Sequence, residues 1–231
     1  MAAPSRSSRT GALACGVFLV LCAAGALAAP SRDYDIGSAG QPTITGSLGG
    51  RVVVGDPSLL ADLSVTVDLG ELSPVNRNSI IKVVVPIAIR SDAAYQLEVD
   101  VSSGGTGTTL DSPQLSDVGF GIQNLQQMGR AKKCALASHR IMAPFANDPA
   151  FTVSSGAGRA SFPSSLATVG TTAVIMQGPQ LSTGNINPRT TDNGWRFDAV
   201  FALVPQFFAP GTSTVTLTFR ISASGTNWPC L

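Results

Sequence analysis

Apolar and polar residues alternate over long stretches of this chain. Leu63, Val65, Val67 and Leu69 are interleaved with Ser64, Thr66 and Asp68, and Tyr95, Leu97, Val99 and Val101 with Gln96, Glu98 and Asp100. Val215, Leu217, Phe219 and Ile221 are interleaved in the same way with Thr214, Thr216, Thr218 and Arg220. A period of two puts one face of each segment in a core and leaves the other in water, so each predicts a half-buried strand. Trp195, Phe197, Ala199, Phe201 and Leu203 fall on one face of a fourth such segment, with Arg196 and Asp198 opposite.

Residues 80–89 are instead almost continuous valine and isoleucine, which predicts a strand covered on both faces. Pro86 interrupts this run; lacking an N–H, it predicts a bulge or a sheet edge at that point. Ser91-Asp92-Ala93-Ala94 has turn chemistry, and the segments on either side of it are expected to form an antiparallel hairpin.

Shorter strands are predicted at 43–45, 51–54, 117–123, 135–141, 151–154 and 172–177, with loops at 102–109 and 178–194. Between 124 and 165 the pattern is weakest. Gly119 and Gly121 alternate with Val118, Phe120 and Ile122, which marks a sheet bend, a bulge or a close approach by another chain or ligand. No segment carries a helical period of comparable quality. The expected architecture is all-β, an antiparallel two-sheet β-sandwich with an irregular middle segment. Residues 51–231 would form a single domain, preceded by an extended Ser/Gly/Pro-rich lead-in at 29–50.

The N-terminus has a different pattern. Arg6 and Arg9 precede an apolar stretch from Gly11 to Ala24, followed by Ala26-Leu27-Ala28 as a small-x-small cleavage motif. Residues 1–28 are therefore expected to be a signal peptide, with the mature chain starting near Ala29 in a secreted, periplasmic or cell-surface location. The apolar stretch is about 14 residues long, whereas a spanning helix needs about 20, so no membrane span is expected after cleavage.

Lys and Arg number 15 and Asp and Glu 14, and charged residues make up 13% of the chain, about half the usual share. Once Arg6 and Arg9 leave with the leader, the remainder is close to neutral. Nucleic acid is thereby excluded as an expected partner, since phosphate binding needs a concentrated positive field.

Of the four cysteines, Cys15 and Cys22 lie in the leader. Cys134 and Cys230 remain, in a compartment that permits oxidation, and are expected to form a disulfide that ties down the C-terminus. Closing a loop of about 100 residues removes roughly 4.7 kcal/mol of unfolded-chain entropy in the chain-entropy treatment. Trp228, beside Pro229-Cys230, is expected to cover it.

Candidate chemistry is sparse. His139 is the only histidine, no Gly-x-Ser-x-Gly elbow occurs, and Glu71 and Glu98 are the only glutamates. One histidine and two cysteines do not furnish a zinc site, and Asp192-Asn193-Gly194 and Asn147-Asp148-Pro149 are too short for a calcium loop. No catalytic residue, metal or cofactor is assigned, and an enzyme is not expected. Arg130, Lys132, Lys133, His139 and Arg140 form the one dense basic cluster, read as an exposed loop that could take an anionic ligand such as an acidic polysaccharide. Tyr95 and Trp195 lie on the apolar faces of their strands and are expected in the core.

Two stretches resemble a known group. Phe207-Phe208-Ala209-Pro210-Gly211-Thr212-Ser213-Thr214-Val215-Thr216-Leu217-Thr218-Phe219 is similar to the final strand of bacterial secreted immunoglobulin-like modules, including spore-coat-U-type and fimbrial subunits. Residues 87–99, with Ile89-Arg90-Ser91-Asp92-Ala93-Ala94-Tyr95-Gln96-Leu97, resemble their paired central strands. The resemblance implies an immunoglobulin-like sandwich. The export signal, the polar uncharged strand faces and the absence of a catalytic constellation point to a structural or adhesive role as a cell-surface, coat or fibre subunit, its partners being other surface proteins or further copies of itself. A soluble glycan-binding module, with polysaccharide as ligand, is the alternative. Donor-strand assembly would need an N-terminal extension of alternating apolar residues, and Tyr34, Ile36, Ile44 and Leu48 are spaced irregularly.

Overall fold

The computed structural model describes residues 34–57, 61–72, 80–104, 112–129, 138–152, 154–156, 159–182, 193–205, 208–226 and 228. Every described residue belongs to one compact unit, Ser31–Leu231. Its strands are β1 (Tyr34–Ser38), β2 (Thr43–Thr45), β3 (Arg51–Val54), β4 (Asp62–Leu72), β5 (Ile81–Ser91), β6 (Tyr95–Gly104), β7 (Val118–Gly129), β8 (Arg140–Ile141), β9 (Ser154–Gly156), β10 (Arg159–Ser161), β11 (Thr172–Gly178), β12 (Asn193–Leu203) and β13 (Gly211–Ala223). Helix is scarce: the described residues include a 3-10 turn at Leu115–Asp117 and two single turns, α1 (Pro149–Thr152) and α2 (Leu166–Val169).

Two antiparallel sheets pack face to face. Sheet A has the order β1-β5-β12-β7, with β2 also paired to β5; sheet B has the order β3-β4-β13-β6-β11-β8. The alternating segments supply the interface between them. Leu63, Val65, Leu97, Val99, Leu217 and Phe219 of sheet B meet Ile87, Ile89, Phe120, Phe197 and Phe201 of sheet A, all at most 1% exposed. Each large side chain so buried contributes roughly 1.5–3 kcal/mol from apolar area removed from water, an upper figure because unfolded chains are themselves partly collapsed. The sequence-derived sandwich is therefore the observed fold.

Three expectations are corrected. The segments 80–89 and 95–101 do not pair: β5 lies in sheet A and β6 in sheet B, so residues 92–94 carry the chain across the sandwich. A short link with turn chemistry is compatible with either path, and packing both apolar faces against one core selects the crossing. Residues 29–50 are more than a lead-in, because β1 and β2 complete sheet A and Ile36 is fully buried. The strand expected at 151–154 is absent at 151–152, where the turn of α1 ends and Phe151 stands 83% exposed, and β9 begins only at Ser154. The predicted strand at 135–141 is described only at β8, since 130–137 lie outside the described residues.

Pro86 makes neither a bulge in β5 nor an edge. It pairs with Asp198 of β12 on one side, while its backbone faces the break between β1 and β2, where its carbonyl accepts a 2.9 Å hydrogen bond from the Ala39 N–H. The missing N–H is thus accommodated by splitting the neighbouring strand.

The irregular middle segment closes one open side of the sandwich. From β8 at the border of sheet B, the Met142 N–H bonds to the Ile175 carbonyl, and Phe145 enters the core against Phe120 with ring centroids 5.7 Å apart. The β7 edge is then capped twice, by the Ile122 N–H to the Phe145 carbonyl (2.8 Å) and by the Phe120 N–H to the Ser164 carbonyl (3.1 Å). Beyond the edge the segment lies on the outer face of sheet A. Gly119 and Gly121 permit this: a Cβ on Gly119 would stand 2.5 Å from the Phe162 ring, and one on Gly121 would collide with the Asn147 carbonyl. Of the readings open for these glycines, the close approach applies, and the approaching chain is the protein's own. Lys82 donates to Asp148 and lies over the Phe151 ring at 4.9 Å, pinning α1 to β5.

Candidate functional site

His139 does not sit in an exposed loop. It is 8% exposed, with its Nδ1 3.1 Å from the Tyr95 hydroxyl and its ring 4.3 Å from that of Trp195. Tyr95 begins β6 and pairs with Gly178 of β11, where a Cβ would lie 2.7 Å from His139 Nδ1 and 2.8 Å from the tyrosine ring. Glycine at 178 is therefore what lets the imidazole reach the hydroxyl. Tyr95 and Trp195 are 0% and 4% exposed, as their strand faces predicted.

Burial holds His139 down to about 4 and pushes the Tyr95 hydroxyl well above its usual range, so the imidazole is neutral at ordinary pH. His139 Nε2 and the adjacent Ser138 Oγ are buried without a hydrogen-bond partner. A nucleophile and base would need a mutual hydrogen bond and a third group orienting the base. Here the ring nitrogen that is bonded is held by a phenol, and the contacts are those of a core residue. Of the basic cluster, Arg140 is exposed on β8, His139 is turned inward, and Arg130, Lys132 and Lys133 lie outside the described residues, as do Cys134 and Cys230.

Sheet B presents a different kind of surface. Its outward side chains come from the polar halves of the alternating segments, and register sets them opposite one another: Thr216 faces Thr66 on β4, and Arg220 lies between Asp62 on β4 and Glu98 on β6. The Thr66 and Thr216 hydroxyls are 3.1 Å apart and those of Ser102 and Thr218 2.7 Å apart. Arg220 donates from Nε to Asp62 Oδ1 (2.7 Å) and from Nη2 to Oδ2 (3.3 Å), and Gln96 donates to Glu98 at 3.0 Å. Its guanidinium is held above its ordinary range, first by the hydrogen bond to Asp62 and then by the charges of Asp62, Asp100 and Glu98.

The result is an array of hydroxyls, carboxylates and amides in rows spaced about 4.8 Å across the strands. Asp62, Asp68, Glu98 and Asp100 share this face with Arg51, Arg140 and Arg220. Sequence reasoning took the polar strand faces as a ground for a structural or adhesive role but named no residue on them, because period-two alternation reports exposure and says nothing of which strands become neighbours. Among the described residues no helix is long and apolar enough to cross a membrane, and no group of three or more His, Cys, Asp or Glu is placed to hold a metal. No family model, curated protein or solved structure gives a significant match to this chain.

Proposed function

We propose that the protein is an exported structural or adhesive β-sandwich whose working surface is the outer face of sheet B, laid against a neutral, hydroxyl-rich polymer of the cell exterior. One observation carries this reading. The chain folds its own middle segment over the outer face of sheet A, while the corresponding face of sheet B is a broad polar lattice of Thr, Ser, Gln, Asp, Glu and Arg. The export leader and the resemblance to secreted immunoglobulin-like subunits support the same role. Hydrogen bonding from several rows at once gives avidity from individually weak contacts.

The test is co-sedimentation of the mature chain with cell-envelope polysaccharide, comparing wild type with Thr66→Lys/Thr218→Lys, which plants two charged chains on the lattice. Loss of binding with unchanged thermal stability is the expected result; undiminished binding rejects the face. If only replacement of Lys132 and Lys133 abolished binding, and the ligand were anionic, the basic loop would be the contact instead.

A further inference from the structure

We infer that β3 is a homotypic docking edge, through which two copies of this chain pair their B sheets about a two-fold axis at Val53. β3 ends sheet B, and its register with β4 fixes which backbone groups are free. The Gly55 N–H donates to the Ser64 carbonyl at 2.8 Å, so Gly55, Val53 and Arg51 make the hydrogen-bonded pairs with β4. The N–H and C=O groups of Val52 and Val54 alternate with these and point away from the sheet.

Native edges are usually protected by shortness, charged side chains, proline or a bulge. β3 is four residues long and opens with Arg51, but no charge, proline or bulge interrupts Val52–Val54, and the β3–β4 register runs without a shift. The edge is also apolar: Val53 is 51% exposed, and Leu48, in the strap leading into β3, is 55% exposed. These are two of the three large hydrophobic side chains left exposed among the described residues.

The sequence of the edge is self-complementary in one register. Antiparallel pairing of Val52 with Val54 of the second copy, and of Val54 with its Val52, satisfies all the outward groups with four hydrogen bonds. Val53 then meets its own counterpart across the axis in a non-hydrogen-bonded pair, where Cα atoms approach to about 4.5 Å and side chains cover each other best. Arg51 falls opposite Gly55, which has no side chain to clash with it. Sliding the register by two residues either way would set Val53 against Arg51 or against Gly55 and leave the valine uncovered. The contact is isologous and closes at a dimer. It deepens the reading above, because the two B-sheet faces become one continuous lattice of doubled width.

Sedimentation equilibrium on the mature chain tests this, with Val53→Lys and Val53→Glu as variants. Val53 is half exposed in the single chain, so each variant should fold. Wild type is expected to dimerise, each variant alone to weaken association at least about tenfold through like charges at the axis, and an equimolar mixture of the two to recover it. A wild-type chain that is monomeric at every concentration overturns the proposal, as does a dimer indifferent to both substitutions or variants that fail to rescue each other. The readout is mass, so a negative result leaves polymer binding to be judged by its own assay.

Discussion

The Tyr95 hydroxyl lies 3.1 Å from His139 Nδ1, across the junction between β6 and the residues leading into β8. The imidazole is neutral in the fold and held at about 4, whereas an unfolded histidine titrates near 6.5. Between these values the unfolded chain binds the extra proton, so this group's stabilisation is full above about 6.5, declines as pH falls and is gone below about 4, at up to about 3 kcal/mol. Subtracting the stability–pH profile of His139→Gln from that of wild type isolates this limb from the carboxylates, and the difference should fall through that window. A flat difference would show that the ring titrates as in water.

Asp35 and Arg90 form a buried pair at 2.8 Å, their side chains 2% and 4% exposed, tying β1 to β5. Replacing Arg90 alone with Met should cost about 3–5 kcal/mol by leaving a buried carboxylate without its cation, and Asp35→Asn/Arg90→Met should recover part of that loss. Chemical denaturation of the three variants checks this. An inert Arg90→Met would mean that residues 34–38 do not belong to the sandwich.

Gly121→Ala places a methyl against the Asn147 carbonyl. The backbone there must shift, and a loss of about 1–3 kcal/mol is expected, concentrated in the middle segment. Amide exchange should show lost protection at Ile122, whose N–H bonds to the Phe145 carbonyl, while Val99 and Leu217 in sheet B keep theirs.

Arg220→Gln breaks a forked ion pair that is well exposed, with side-chain exposures of 46% and 17% for Arg220 and Asp62. Its effect on stability should be below about 1 kcal/mol, shrinking further with added salt. A larger loss by calorimetry would assign the pair a structural role.

Much of the strand content was legible because a period of two is written locally. Val215, Leu217, Phe219 and Ile221 had to share a buried face whatever their neighbours were. Pairing was not legible: 80–89 and 95–101 carry good strand patterns and a turn between them, yet they enter different sheets. The burial of His139 was equally hidden, since a histidine between Ser138 and Arg140 carries no apolar signature. Its environment comes from Tyr95, Trp195 and Gly178, distant in sequence.

The sequence by itself determined that this chain builds an all-β sandwich around alternating Val, Ile, Leu and Phe, because the period of the side chains decides which faces leave water. It also determined that Tyr95 and Trp195 would be interior. Only the tertiary structure decided that β1 and β2 complete sheet A, that Asn147 and Phe162 close over Gly121 and Gly119, and that β3, with its valines, is the terminal strand of sheet B among the described residues. Those outcomes depend on hydrogen bonds and packing between residues far apart along the chain, and such partners are chosen by the joint burial of all the strands rather than by any segment's own pattern.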